Sequence, residues 1–457
     1  MALSIVILAA GQGTRMVSDL PKVLAPLAGR PLLAHVIDAS SALEADGTHV
    51  VVGFGADTVR EAFAGQALGW HEQTERKGTG HAVAQAMPAI PDDHTVLVLY
   101  GDVPLVQAET LRSLVAAAGD SDAAVLTAML DDPTGYGRIV RAADGSVSRI
   151  VEQKDASSEE AAIHEVNTGL IACPAGPLKG WLDEIRPNNA QGEYYLTDII
   201  ALAVRDGIPV HGVAAANAEE TAGINDRAQL AECEAQLRTA NAAALLKQGV
   251  TLADPTRVDV RGELECGRDV FIDINVVFEG KVKLGDGVHI GPNNVISDSQ
   301  IEDGTEVKTN SVIDQAHIGP RCSIGPFARV RPATYLGSEV KIGNFVETKK
   351  SAIAKGSKVS HLTYIGDSTI GEDVNVGAGT ITCNYDGVNK HKTRIDDGAF
   401  IGSGTQLVAP VSVGENATIG AGSVISKDAP AGELTVARGK QVTLRGWKRP
   451  EKLPKDP

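Results

Sequence analysis

From residue 284 onwards a large aliphatic residue returns at every sixth position, a period that neither a helix nor a flat strand can use. Leu284, Ile290 and Ile296 form one series. Ile318, Ile324, Val330, Leu336 and Ile342 form a second, and Ile395, Ile401, Leu407, Val413, Ile419 and Ile425 a third, with slips or insertions between them. A helix needs apolar spacings of three and four, and a half-buried strand a spacing of two. A six-residue period predicts a parallel β-helix: three short flats per coil, aliphatic side chains stacked inside, small residues at the corners. One coil buries little alone, so stacking supplies the core. The 49 glycines and the 4% aromatic content suit such tightly turning β-structure. Asn384–Arg394 (NYDGVNKHKTR) interrupts the period with polar and basic residues and is expected to project as a loop from one face.

The first half reads differently. Residues 1–225 alternate short apolar runs with helix-like segments. Ser4–Leu8, His49–Val52, Val96–Leu99 and Ala123–Leu126 are expected strands, and Pro31–Leu43, Gly80–Met87 and Leu196–Val204 expected helices. That alternation predicts an α/β, Rossmann-like domain with a mostly parallel sheet and ligands at the carboxyl ends of its strands. Residues 226–249, rich in Ala, Leu, Glu, Gln and Arg, read as a linker helix. Residues 250–457 read as the β-helix domain, and the tail after Trp447 (KRPEKLPKDP) as disordered.

The 42 Lys and Arg against 58 Asp and Glu give a formal net charge of -16, which argues against a nucleic-acid or anionic-membrane partner while leaving room for a local phosphate pocket. No apolar run is long enough to span a membrane, and the opening MALSIVILAA lacks a basic region before it, so it reads as a first strand and not a signal peptide. Cys173, Cys233, Cys266, Cys322 and Cys383 form no CxxC pair, so neither a disulfide framework nor a zinc site is expected, and a cytoplasmic location is the simplest.

Two segments carry chemistry. The first strand runs into Leu8-Ala9-Ala10-Gly11-Gln12-Gly13-Thr14-Arg15-Met16. Paired glycines let backbone N–H groups approach a phosphate, and Arg15 adds fixed charge. The segment is neither a P-loop nor a complete dinucleotide fingerprint. Taken singly, the glycines fit a structural turn equally well, Asp102 fits a helix cap, and Lys22 a solvated surface lysine. The whole run Gly11–Leu24, GQGTRMVSDLPKVL, resembles the signature of sugar-nucleotide pyrophosphorylases, and in particular of N-acetylglucosamine-1-phosphate uridyltransferases. Gln73 with Gly78-Thr79-Gly80-His81-Ala82 is similar to that family's uracil-contacting segment, and Tyr100-Gly101-Asp102-Val103-Pro104-Leu105 to its metal segment. Gly135–Arg138, Val151-Glu152, Asn167-Thr168-Gly169 and Gln191–Tyr195 resemble its sugar-side segments, and Ile224–Arg227 the segment of its second metal ligand. Lys77 departs from the family's usual Leu.

The resemblance implies that Leu8, Ala9, Ala10, Gly11, Lys22, Gln73, Gly78, Thr79, Tyr100, Gly101, Asp102, Gly137, Glu152, Asn167 and Asn225 bind UTP and UDP-N-acetylglucosamine. It implies that Asp102 and Asn225 hold Mg²⁺. The chemistry fits these residue types. A sugar phosphate oxygen is already anionic, so its attack on the α-phosphate needs no base; it needs charge neutralisation and in-line positioning, which Arg15 and Lys22 would supply with the metal.

In the second half, Arg329–Pro332, Asn344–Lys350, Ser360-His361-Leu362-Thr363-Tyr364 and Gly377–Gly387 resemble the acetyltransferase half of the bifunctional uridyltransferase/acetyltransferase family, in the same order. A lone histidine is more often structural; the flanking motifs make His361 the candidate base that deprotonates an amine before it attacks acetyl-CoA. The resemblance implies that Arg331 and Lys349 bind the sugar phosphate, that Tyr364 and Asn375 line the sugar pocket, that Asn384 lies near the amine, and that Tyr385, at the start of the projecting loop, also binds the acetyltransferase substrate. It places Ala378, Ser403, Ala421 and Arg438 on the acetyl-CoA side, though small residues are expected at β-helix corners in any case. Glu347 is expected to orient His361 or balance its charge. The fold implied is a nucleotidyltransferase domain followed by a left-handed parallel β-helix, working as a homotrimer on glucosamine 1-phosphate and N-acetylglucosamine 1-phosphate. Two rivals share the architecture: an enzyme for another sugar or base, which would not need His361 and Asn384-Tyr385, and a regulatory subunit, in which degraded motifs would be expected.

Overall fold

The computed structural model describes residues 2–450. Residues 448–450, after Trp447, are exposed and irregular, and the remainder of the tail expected to be disordered, 451–457, lies outside the described residues. The chain divides into two compact units, Met1–Leu237 and Arg238–Pro457, and the division falls within one helix, Arg227–Lys247.

In the first unit the main path of the sheet runs Val210–Ala214, Ala123–Met129, Glu165–Pro174, Thr95–Tyr100, Leu3–Ala9, Gly47–Val52 and Gly69–Glu72. Leu3–Ala9 is buried along its whole length between two parallel neighbours, which is why it reads as a continuous apolar run. Alternate residues face opposite layers. Ile5, Ile7, Leu97 and Leu99 pack with Leu33 and Val36 of helix Leu32–Ser41. Val6, Leu8, Val96 and Val98 pack with Val83 and Ala86 of helix Thr79–Ala86. The expected parallel sheet contains one reversal, Glu165–Pro174, antiparallel to both of its neighbours on that path. The chain segments leaving Leu3–Ala9 and Thr95–Tyr100 stay together, since Gly101 N donates to Leu8 O at 3.0 Å.

The second unit is a left-handed parallel β-helix. Paired residues one coil apart are 17 or 18 positions apart in sequence, as in Ile301↔Ile318 and Ile318↔Leu336. All the hexad aliphatics named above are buried in one continuous core. Ile370 pairs with Ile395, and the extra chain between them is the segment after strand Ile381–Cys383. Buried hydroxyls stitch coils together: Thr305 Oγ1 accepts from Cys322 N at 2.9 Å, and Ser357 Oγ from Val374 N at 2.9 Å.

Candidate functional site

The first unit carries a cleft at the carboxyl ends of its central strands. It is lined by Leu8, Ala9, Ala10, Gly11, Lys22, Gln73, Gly78, Thr79, Tyr100 and Asp102, together with Val23, Arg76, Ala82 and Glu193. A second hollow shares Tyr100 and Asp102 and adds Arg15, Asn225, Thr134, Gly135, Tyr136 and Thr168. The two hollows therefore meet at Asp102.

Local backbone explains how the glycine loop is held open. A Cβ on Gly11 would meet nothing, so the space above it is free for a ligand. Gly13 has φ 64°, and a Cβ there would lie 2.6 Å from Lys22 Cβ, so only glycine lets the loop close onto that lysine. Lys22 is buried, and its ammonium is ion-paired with Asp102 and donates to Asn225 Oδ1 at 3.3 Å. A carboxylate and an amide oxygen from segments far apart in sequence thus converge on one cation. Hard oxygen donors, few in number, are what Mg²⁺ takes when it shares phosphate oxygens.

At the other end, Gln73 Nε2 donates to Gly78 O at 3.0 Å and lies 3.0 Å from His81 Nδ1. Thr79 Oγ1 accepts from Leu196 N at 3.0 Å. Burial raises the Tyr100 phenol pKa, as do the carboxylates of Glu152 and Asp102, so it stays a neutral hydroxyl. Glu152 is also pushed up by burial, opposed by the Thr197 hydroxyl, which donates to its Oε1 at 3.0 Å. Gly137 faces it: a Cβ there would sit 3.5 Å from both Glu152 carboxylate oxygens. Asn167 Oδ1 accepts from Gly169 N at 3.0 Å, where the strand pairing slips, an irregularity typical of strands near sites.

In the β-helix, His361 is exposed at the end of strand Lys358–His361, and its Nδ1 lies 2.6 Å from Asn344 Oδ1. An amide oxygen only accepts, so the proton sits on Nδ1 and the lone pair on Nε2. That is the tautomer of a general base. Asn344, not Glu347, orients the ring: Glu347 Oε1 accepts from Arg331 Nη1 at 2.6 Å. The expectation for Glu347 is thereby corrected, because the guanidinium one coil below is the stronger partner for a carboxylate.

Arg331, Lys349 and Lys390 form a cationic patch. Like charge from Lys390 and then Arg331 lowers the Lys349 pKa, and Asp367 partly offsets it. Asn384 Nδ2 donates to Asp367 Oδ2 at 2.6 Å. Tyr364 lies in register with Glu347, and Asn375 lies on the strand beside Lys358–His361. Tyr385 opens the projecting loop, where its hydroxyl donates to Gly387 O at 2.5 Å. Along one edge, Gly404 N donates to Ala378 O at 2.7 Å, Gly422 N to Ser403 O at 2.8 Å, and Arg438 Nη1 to Ala421 O at 2.9 Å. The four residues expected on the acetyl-CoA side therefore share one corner of successive coils.

The MobA-like NTP transferase domain family matches residues 5–165, the GMPPB C-terminal domain family residues 260–344, and the bacterial transferase hexapeptide family, six repeats, residues 392–427. Over 450 residues the chain is 57% identical to the bifunctional protein GlmU of Marinobacter nauticus, covering 98% of this chain and 99% of that protein. The chain belongs to the GlmU family. The GlmU proteins of Cupriavidus pinatubonensis and Azoarcus sp. are 57% and 56% identical, with 99% and 98% of this chain covered and 100% of each relative. As a GlmU-family protein the chain is a bifunctional nucleotidyltransferase and acetyltransferase. Among the described residues no helix is long and apolar enough to cross a membrane.

Four residues at these candidate sites were given no role by the sequence: Asn344, Lys390, Thr197 and Arg76. Asn344 had no signal in the period, since hexads imply an eighteen-residue coil and Asn344 lies 17 residues before His361. Asn344→Ala should lower the acetyl-transfer kcat roughly tenfold, the effect of one hydrogen bond of about 1.4 kcal/mol. Glu347→Gln should instead lower KM for the sugar phosphate, because it keeps an acceptor for Arg331 while freeing that guanidinium's charge for the phosphate. Steady-state kinetics of both variants separate the two roles; the same parameter moving in both would refute the assignment.

Proposed function

We propose that this chain acetylates glucosamine 1-phosphate with acetyl-CoA in its β-helix domain, 250–457. Its front domain, 1–225, then transfers UMP from UTP to the N-acetylglucosamine 1-phosphate so formed. The products are UDP-N-acetylglucosamine and pyrophosphate. The observation that carries this reading is the convergence of Asp102 and Asn225 oxygens on one cation, at the junction of the two hollows.

In the front site, Gln73, Gly78 and Thr79 read the base, and Gly11 leaves space for the phosphates. Glu152, Asn167 and Gly137 hold the sugar hydroxyls and acetamido group. Mg²⁺ bound by Asp102 and Asn225 would neutralise phosphate charge. Lys22, released from its carboxylate, and Arg15 then stabilise the charge on the leaving group. In the rear site Arg331, Lys349 and Lys390 clamp the sugar phosphate. Tyr364 and Asn375 line the sugar, with Asn384 beside the amine. His361 Nε2 takes the proton from the amine, Tyr385 joins the substrate-binding residues, and acetyl-CoA lies along the edge formed by Ala378, Ser403, Ala421 and Arg438. His361 makes its described contacts with Asn344, Thr363 and Gly379, not with the cationic patch. That separation supports a homotrimer in which a neighbour completes the pocket. Five free thiols support a cytoplasmic location.

The purified chain given glucosamine 1-phosphate, acetyl-CoA, UTP and Mg²⁺ should form UDP-N-acetylglucosamine, detected by chromatography. Chelating the metal should stop uridyl transfer and leave acetyl transfer running. Loss of acetyl transfer on chelation would contradict the division of labour.

A further inference from the structure

We infer that Arg76 is a further phosphate-recognition residue of the nucleotidyltransferase site, directed at the β- and γ-phosphates of the nucleoside triphosphate; this rests on the cleft being the triphosphate site, as read above. The loop between Gln73 and Gly78 carries three consecutive charges, Glu75, Arg76 and Lys77. Glu75 and Lys77 neutralise each other in an ion pair. Arg76 takes no part: among the described residues no carboxylate lies within ion-pair distance of it. Its side chain lines the cleft, and Nη1 donates to the neutral amide oxygen of Gln12 at 2.6 Å. Gln12 stands between Gly11 and Gly13, so this bond ties the base-side wall to the glycine loop.

Charge compensation singles Arg76 out. The cleft has two cationic lining residues, Lys22 and Arg76. Lys22 is already paired with Asp102. The guanidinium of Arg76 keeps its full charge and four unused N–H donors in a planar fork that matches phosphate oxygens. An anion in the cleft offers it a far better partner than a neutral amide. Position selects which anion. Asp102 and Asn225 mark the reacting α-phosphate, and Gln73 marks the base. Arg76 is exposed at the rim, and its partner Gln12 adjoins Gly11, over which the space is open; that open space is the one left for the departing pyrophosphate portion.

The test is Arg76→Gln in the full-length chain, with Arg76→Lys as the charge-conserving variant and circular dichroism with thermal unfolding as the measure of intact folding. KM for UTP, and KM for pyrophosphate in the reverse reaction, should each rise about tenfold or more, with partial recovery in Arg76→Lys. The dissociation constant for UDP-N-acetylglucosamine, which lacks the leaving phosphates, should change less than about twofold. Unchanged KM values for UTP and pyrophosphate would overturn the inference. So would equal weakening of UTP and UDP-N-acetylglucosamine, which would make Arg76 a support of the cleft wall. Failure of the underlying reading shows separately, as wild-type uridyl transfer insensitive to Asp102→Ala.

Discussion

Replacing Asp102 with Ala is expected to lower uridyl transfer by about 10²–10³-fold, the scale of losing one electrostatic contact to a transition state, roughly 3–4 kcal/mol. Acetyl transfer should be untouched, because Asp102 lies in the first compact unit and the acetyltransferase residues in the second. In the structure Asp102 neutralises the buried Lys22, whose ammonium also meets Asn225 Oδ1. On the proposed reading, removing it takes away a metal ligand, which would slow the chemical step. It also leaves Lys22 unpaired and free for the triphosphate, which works against any loss of UTP binding. The effect should therefore appear in kcat and not in KM for UTP. Steady-state kinetics with UTP varied at saturating N-acetylglucosamine 1-phosphate make the comparison. A rise in KM with kcat intact would mean that Asp102 binds substrate without serving the reaction.

His361→Ala should produce the reciprocal pattern: acetyl transfer reduced by about 10²–10⁴-fold, the usual contribution of a positioned general base, with uridyl transfer from N-acetylglucosamine 1-phosphate unchanged. An ammonium has no lone pair with which to attack a thioester, so the proton must leave before or during the attack. His361 is exposed, and the bond from Nδ1 to Asn344 assigns the lone pair to Nε2. Its strand is pinned independently of the ring, since the His361 carbonyl accepts from Thr363 Oγ1 at 2.7 Å and from Gly379 N at 3.3 Å. The variant should hence fold normally. Measuring both activities on one preparation decides the matter. If both fell together, the two-site description would fail.

Much of this could be read from the chain alone, for identifiable reasons. The six-residue period survives because each coil repeats the same burial problem, so Ile318, Leu336 and the other hexad residues had to be apolar wherever the coils closed. Leu3–Ala9 announced a central parallel strand because burial on both faces forbids polar residues. The motif runs around Gly11, Asp102 and His361 were legible as runs, and the fold brings Gly11 and Asp102 into one cleft. Glu165–Pro174 gave no hint of its reversed direction, since a buried strand has the same composition either way.

The pairings were a different matter. Hexads imply an eighteen-residue coil, which would put Gly343 beside His361. The coil there has 17 residues, so Asn344 is the neighbour and Glu347 falls to Arg331. Asn384 meets Asp367 across the same 17-residue step. Likewise the separation of Glu75–Lys77 from Arg76, and the bond from Arg76 to Gln12, depend on how two loops meet at the cleft. Residue type and period follow from what each position must bury or react with, and these are local demands that a sequence records directly. Which charge is compensated, and which side chain orients which, follows from register and loop geometry, and these exist only once the coils have stacked and the strands have aligned.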